Sequence, residues 1–236
     1  MSARRIAIVQ SNYIPWKGYF DLIASVDEFV LFDDVQYTRR DWRNRNKIKT
    51  KDGLVWLTIA VEVKGKYFQA IDETRIADPR WIDSHLGALR GAYARAPFFK
   101  EEWAWVEPLY RSLEGAELLS AVNRTLIEGI CTRLGIGTPI RASRDVPHGD
   151  GKNDRLIDIC RALGASAYLS GPAARDYIDE ALWRERGIEV EYKSYDGYRE
   201  YPQLYGAFEH GVSILDVLFN TGPQAAAYIR AKDRPQ

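Results

Sequence analysis

The chain has 236 residues and equal numbers of basic and acidic side chains, 33 each, so no net charge draws it to nucleic acid or to a membrane surface. That length supports a core without staples, and two cysteines, Cys131 and Cys160, are too few for a disulfide framework and read as small buried hydrophobes. No apolar run approaches the roughly 20 residues of a spanning helix. The basic start MSARR lacks a following apolar segment of the secretory kind, so a cytoplasmic protein is expected.

In chain order, residues 6–9 read as a buried strand, followed by a polar loop, a short amphipathic helix and a second buried strand over 28–33. The segment 39–51 is basic, carrying seven Lys or Arg in thirteen positions. Residues 54–63 alternate and are β-branched enough for a strand. The Lys64-Gly65-Lys66 turn suggests a hairpin with 67–71. Asp78-Pro79 opens a helical insertion over about 78–135, with helices to about 93, over 99–113 and over 116–134, the last closed by Gly135. A strand over 139–144, a helix over 154–163, a strand over 167–169, a helix over 173–186 and a strand over 188–192 follow. An aromatic loop then leads to helical stretches over 213–219 and 223–231. This alternation predicts a single α/β domain, 1–236, with a mostly parallel sheet flanked by helices and the helical insertion packed over one end.

Loops at the carboxyl ends of parallel strands are where such sheets bind ligands. Gln10, Ser11, Asn12 and Tyr13 follow the first strand, and Asp33, Asp34, Gln36 and Tyr37 follow the second, like two lips of a site. The loop QSNYIPWKGYF has the layout of a nucleotidyltransferase of the HUP class, with Pro15, Gly18 and Tyr19, but lacks both histidines of H-x-G-H. The helix N-terminus near Lys17 still offers free N–H groups to an anion. In the basic segment, Trp42, Asn44, Arg45, Asn46 and Lys47 interleave stacking and charge, suited to a nucleotide diphosphate or to the acidic surface of an acyl carrier protein.

Of three histidines, His85 lies on a well-patterned helix and is the candidate general base; His148 and His210 are weaker candidates. YLSGPAARDY places Ser170 and Gly171 in a strand-to-helix turn at the same sheet edge, with Tyr177 just beyond; it is not a nucleophile elbow. The Gly149–Asp154 loop, with Gly151 and Lys152 before a helix, is a second anion-binding candidate without Walker spacing. No histidines or cysteines have metal-ligand spacing, so no metal is expected, and no cofactor is identified.

Several long blocks in one order resemble the WbqC-like protein family: QSNYIPWKGYFDLI, DEFVLFDDVQYTRRDWRNRNKIK, HLGALRGAYARAPFF, RLIDICRALGASAYLSGPAARDYID and SILDVLFNTG. The chain departs from the pattern at Asn153-Asp154, where a threonine is favoured. The resemblance implies a setting in bacterial surface-polysaccharide (O-antigen) or related biosynthesis. The expected activity is acyl or aminoacyl transfer to an amine of a nucleotide-linked sugar or similar phosphorylated metabolite. In that reading His85 takes the proton, with Asp33 as the second catalytic group. Gln10, Asn12 and Gln36 orient the acceptor, Arg45 and Lys47 hold phosphate or carrier protein, and N–H groups at Ser170-Gly171 steady an oxyanion. The alternatives are HUP-like nucleotidyl transfer with Mg²⁺ on Asp33 or Asp34, and a non-catalytic protein that binds a sugar or carrier.

Overall fold

Apolar runs bounded by turns give β1 (Arg5–Val9), β2 (Glu28–Leu31), β3 (Arg45–Thr50), β4 (Gly53–Thr58), β5 (Ile140–Ala142), β6 (Ala167–Ser170) and β7 (Glu189–Tyr192). Between and after them lie α1 (Lys17–Ile23), α2 (Trp81–Tyr93), α3 (Phe99–Arg111), α4 (Leu119–Arg133), α5 (Lys152–Ala162), α6 (Glu180–Glu185), α7 (Ile214–Thr221) and α8 (Ala225–Tyr228). This architecture is that of a computed structural model describing residues 4–230. Five strands form one parallel sheet in the order β5-β2-β1-β6-β7, and β3 with β4 forms a separate antiparallel hairpin.

The period of two along each strand sends alternate side chains to opposite faces. Ala7, Phe29, Leu31 and Leu169 join one core with α1, α2, α3, α4 and α7. Ile6, Ile8, Val30 and Tyr168 join a second with α5 and with Trp183 of α6. The connections from β1 to β2 and from β2 to β5 therefore cover the first face, and those from β5 to β6 and β6 to β7 cover the second. The sheet is doubly wound and mostly parallel with flanking helices, as expected, and the chain changes face between the neighbours β1 and β6. Helices α2, α3 and α4, the expected insertion, have no core of their own but share the first one. Among the described residues no helix is long and apolar enough to cross a membrane. Cys131 and Cys160 are free and buried.

Two expectations are corrected, and the end of a third lies outside the described residues. The second half of the basic segment is β3, paired from Arg45↔Thr58 to Thr50↔Gly53, so the hairpin turns at Lys51-Asp52 and not at Lys64-Gly65-Lys66. Gly53, at φ 110°, supplies the left-handed residue that this turn requires. Residues 67–71 instead touch the segment after β2 through the bridge Gln36↔Ala70. The helix expected over 173–186 is broken into a 3₁₀ turn, Pro172–Asp176, and α6, because Asp179 accepts N–H bonds from Ala181 and Leu182 and starts a new helix there. The last helix ends at Tyr228; the expected terminus at Ala231 and the residues Met1 to Ala3 lie outside the described residues.

The hairpin fixes the loop after β1. Ile14 sits there at φ 35°, a left-handed value that a β-branched residue rarely adopts. Asn46, 2% exposed, holds this loop: its Nδ2 donates to Tyr13 O at 3.2 Å and Ile14 O at 2.8 Å, and its Oδ1 accepts the Lys47 N–H at 2.7 Å. Asn46→Ala leaves buried carbonyls without donors and should cost about 2–4 kcal/mol of stability in urea unfolding. A loss too small to resolve would show that the loop holds itself.

Candidate functional site

The β1–β6 ladder pairs Arg5 with Ala167 and Ile6 with Tyr168, whereas β1–β2 and β6–β7 each run for four residue pairs. Beyond Ile6 the two central strands part toward their carboxyl ends, where the chain changes face. A cavity of about 970 Å³ occupies this opening. Its walls come from the end of β1 (Ile8, Val9, Gln10), the segment after β2 (Phe32, Val35), the end of β6 and its turn (Ser170, Gly171, Pro172), and Tyr168, Tyr177 and Tyr195.

Among the described residues three cations line it, Arg43, Lys152 and Arg155, and no aspartate or glutamate does. Arg155 comes from the first turn of α5 and is aimed by Asp34, whose Oδ2 accepts its Nη2 at 3.0 Å and lies 2.9 Å from His148 Nε2. Asp34 also accepts the Ser143 hydroxyl. Arg43 is 12% exposed; it donates to Asn12 Oδ1, its Nη2 lies 3.5 Å from Asp41, and its Nε has no partner. Burial pulls its pKa down from the usual guanidinium value, so a buried anion beside it is favoured. The first turn of α5 has no side-chain cap, and Gly151 before it, at φ 102°, adopts backbone that a side chain would strain. Cations and an uncapped helix N-terminus at one cavity suit a phosphate.

Behind the first lip lies a buried polar clasp. The Ser11 N–H donates to Asp33 Oδ1 at 2.8 Å, and Asn123 on α4 donates to Ser11 Oγ at 3.0 Å and to the Arg43 carbonyl at 2.9 Å. Burial pushes Asp33 up to about 6, against the lowering pull of the Ser11 bonds. Asp33 and Asp34 border a small polar hollow with Asp72, Arg124 and Arg144, beside the large cavity and not in it.

The other sequence-derived positions divide sharply. Gln10, Ser170, Gly171 and the half-exposed Tyr177 line the large cavity. Asn12 and Trp42 line a neighbouring smaller chamber with Asn46. Arg45 and Lys47 stack over Trp56 on the outer face of the hairpin, 4.2 and 5.1 Å from its ring centre, because they alternate with the buried Asn46 and Ile48. Asn44 is buried and bonds Ile59 O at 2.8 Å. Gln36 donates to Tyr67 O, and the backbone of Tyr37 pairs with Gln69. His85 and Tyr13 touch none of these cavities: both are buried under α2, with Tyr13 OH 2.7 Å from His85 Nδ1 and 2.8 Å from Tyr110 OH. Burial lowers His85 to about 4, so it is neutral at physiological pH.

Arg43, Arg155 and Asn123 are the residues that sequence reading did not select. Asn123 carried a signal, a polar residue within the apolar stripe of α4, which must find a buried partner. Asn153, where the chain departs from the expected threonine, bonds Tyr177 O at 3.2 Å and Trp183 Nε1 at 3.0 Å, tying α5 to the cavity rim. Among the described residues no three His, Cys, Asp or Glu are grouped to hold a metal ion.

The raised Asp33 value has a stability consequence. An unfolded aspartate ionises near 3.8 but the folded one near 6, so the stabilisation present below pH 4 is lost as pH rises through 6. Relative to Asp33→Asn, the wild type should lose on the order of 3 kcal/mol between pH 4 and pH 7 in urea unfolding. A difference that stays flat over that range would place Asp33 in ordinary solvent.

The sequence pattern of the WbqC-like protein family matches residues 10–228. The uncharacterized protein Rv1507c of Mycobacterium tuberculosis is 51% identical over 227 residues, 96% of this chain and 98% of that protein. No solved structure matches. Apart from Ile8 and Val9, every cavity residue named above lies within the matched span, and the chain belongs to the WbqC-like protein family.

Proposed function

We propose that the protein is a biosynthetic enzyme that acts on a nucleotide-linked sugar or similar phosphorylated metabolite bound at the opening between β1 and β6. One observation carries this reading: a ligand-sized cavity at the change of face is lined by Arg43, Lys152 and Arg155 and by no carboxylate. Such a lining favours a multiply charged anion. The phosphates sit against Lys152, Arg155 and the first turn of α5, and Tyr177, Tyr195 and Phe32 give apolar area for the rest of the molecule.

The reaction in this reading is acyl or aminoacyl transfer to an amine of that ligand, in surface-polysaccharide or related biosynthesis, a setting drawn from the family. Gln10 and the Ser170-Gly171 turn stand at the cavity wall where an acceptor is oriented. His85 takes no part, since it is neutral, buried and outside the cavity. The exposed hairpin face with Trp42, Arg45 and Lys47 is the basic surface on which an acidic carrier protein would rest.

Lys152 gives the cleanest test, because it is exposed and its removal strands no buried partner, whereas Arg155 balances Asp34. A panel of nucleoside diphosphates should raise the melting temperature of the wild type, less so at high salt. Lys152→Ala should weaken that binding by about 1–2 kcal/mol with the melting temperature of the free protein unchanged. Equal shifts in wild type and variant would remove the phosphate from this end of α5.

A further inference from the structure

Beside the large cavity is a second chamber of about 320 Å³, about a third of its volume, lined by Asn12, Pro15, Trp16, Trp42, Asn46 and Gly211. Among the described residues no charged side chain lines it. Two contacts stand between the chambers. Arg43, on the large side, donates to Asn12, on the small side. Tyr195, on the large side, packs edge-on against Trp16, on the small side, with ring centres 5.1 Å apart.

The walls of the small chamber are fixed before any ligand arrives. Trp16 folds back over Gly18, where a Cβ atom would come within 2.3 Å of the indole, so only glycine at 18 leaves room for that pose. Trp42 leans on Trp56 at 5.3 Å, and its backbone carbonyl accepts the Tyr13 N–H at 3.0 Å. Two preset indoles with amide groups between them, and no charge, suit an uncharged ring that has CH-rich faces and hydroxyls at its edge. The indole faces cover the CH groups, and the Asn12 amide bonds a hydroxyl, while the Asn46 amide is engaged by the loop. Asn12 has a free Nδ2 for this, since only its Oδ1 is engaged, by Arg43.

We propose that the small chamber is a sugar subsite, seating the neutral hydroxyl-bearing ring of the ligand whose phosphates lie in the large cavity, with Arg43 and Asn12 at the junction. This rests on the phosphate reading above and adds where the sugar goes. Arg43 then faces the phosphates on one side and orients Asn12 toward the ring on the other. An anion bound at Arg43 and a ring bound at Asn12 are thereby linked through one hydrogen bond.

Two measurements separate this inference from the reading beneath it. In ¹⁵N spectra of the seven tryptophan indoles, assigned with Trp16→Phe and Trp42→Phe, a panel of free neutral hexoses at high concentration should shift the Trp16 and Trp42 signals and leave the other five in place. The same shifts should persist in Lys152→Ala, because the small chamber has no part in holding phosphate. Hexoses that move neither signal, or that move all seven alike, overturn the sugar subsite whatever the nucleotides do.

In the second measurement, nucleotide-linked hexoses are titrated against the matching nucleoside diphosphates. The sugar should improve affinity about fivefold in the wild type, and Trp42→Ala should erase that gain while diphosphate affinity holds. Trp42→Ala weakening both ligands equally would also overturn the proposal. Failure of every nucleotide to bind would sink the phosphate reading, and with it the claim that the two chambers share one ligand.

Discussion

The parting of β1 from β6 is the constraint on which the rest of this structure depends. The two strands pair at Arg5↔Ala167 and Ile6↔Tyr168 and then lead into loops that leave for opposite faces of the sheet. Backbone that no longer pairs across a sheet must find other partners or enclose a space. Here it does both. Asn46, Asn123 and Asp33 satisfy the first loop from behind, and the space in front becomes the cavity.

Charge is arranged around that opening with a clear division of labour. Carboxylates lie one layer back, where Asp34 steadies Arg155 and His148 while Asp33 caps the Ser11 N–H. Cations reach the cavity wall. The layout leaves the cavity positive without leaving Asp34 unpaired, and it keeps Arg155 in one orientation before a ligand arrives. The cost is a strained Ile14 and an aspartate held against its own ionisation, both adjacent to the site.

Much of this was legible in the sequence, and the misses have physical reasons. The polar runs after two apolar strands and the Ser170-Gly171 turn pointed to the sheet edge where the large cavity opens, because the direction of parallel strands leaves little freedom there. The hairpin was misplaced because charged residues alternate through β3 and mask its strand pattern, while the pairing closes at Lys51-Asp52. His85 drew attention as an isolated histidine on a patterned helix. Its spacing from Trp81, Ile82 and Leu89 places it in the buried stripe of α2, where a histidine bonds a tyrosine and not a substrate. Arg43 could not be told from its basic neighbours because it lies in irregular backbone before β3, and only the fold brings its guanidinium to Asn12.

The central claim is that the ligand's phosphates lie between the ends of β1 and β6. A crystal structure of the protein with a bound nucleoside diphosphate tests it most directly. Phosphate density is expected within hydrogen-bonding reach of Lys152, Arg155 and the first turn of α5, with the nucleoside in the same cavity. Density on the hairpin face at Arg45 and Lys47, or in the hollow beside Asp72 and Arg144, would contradict it.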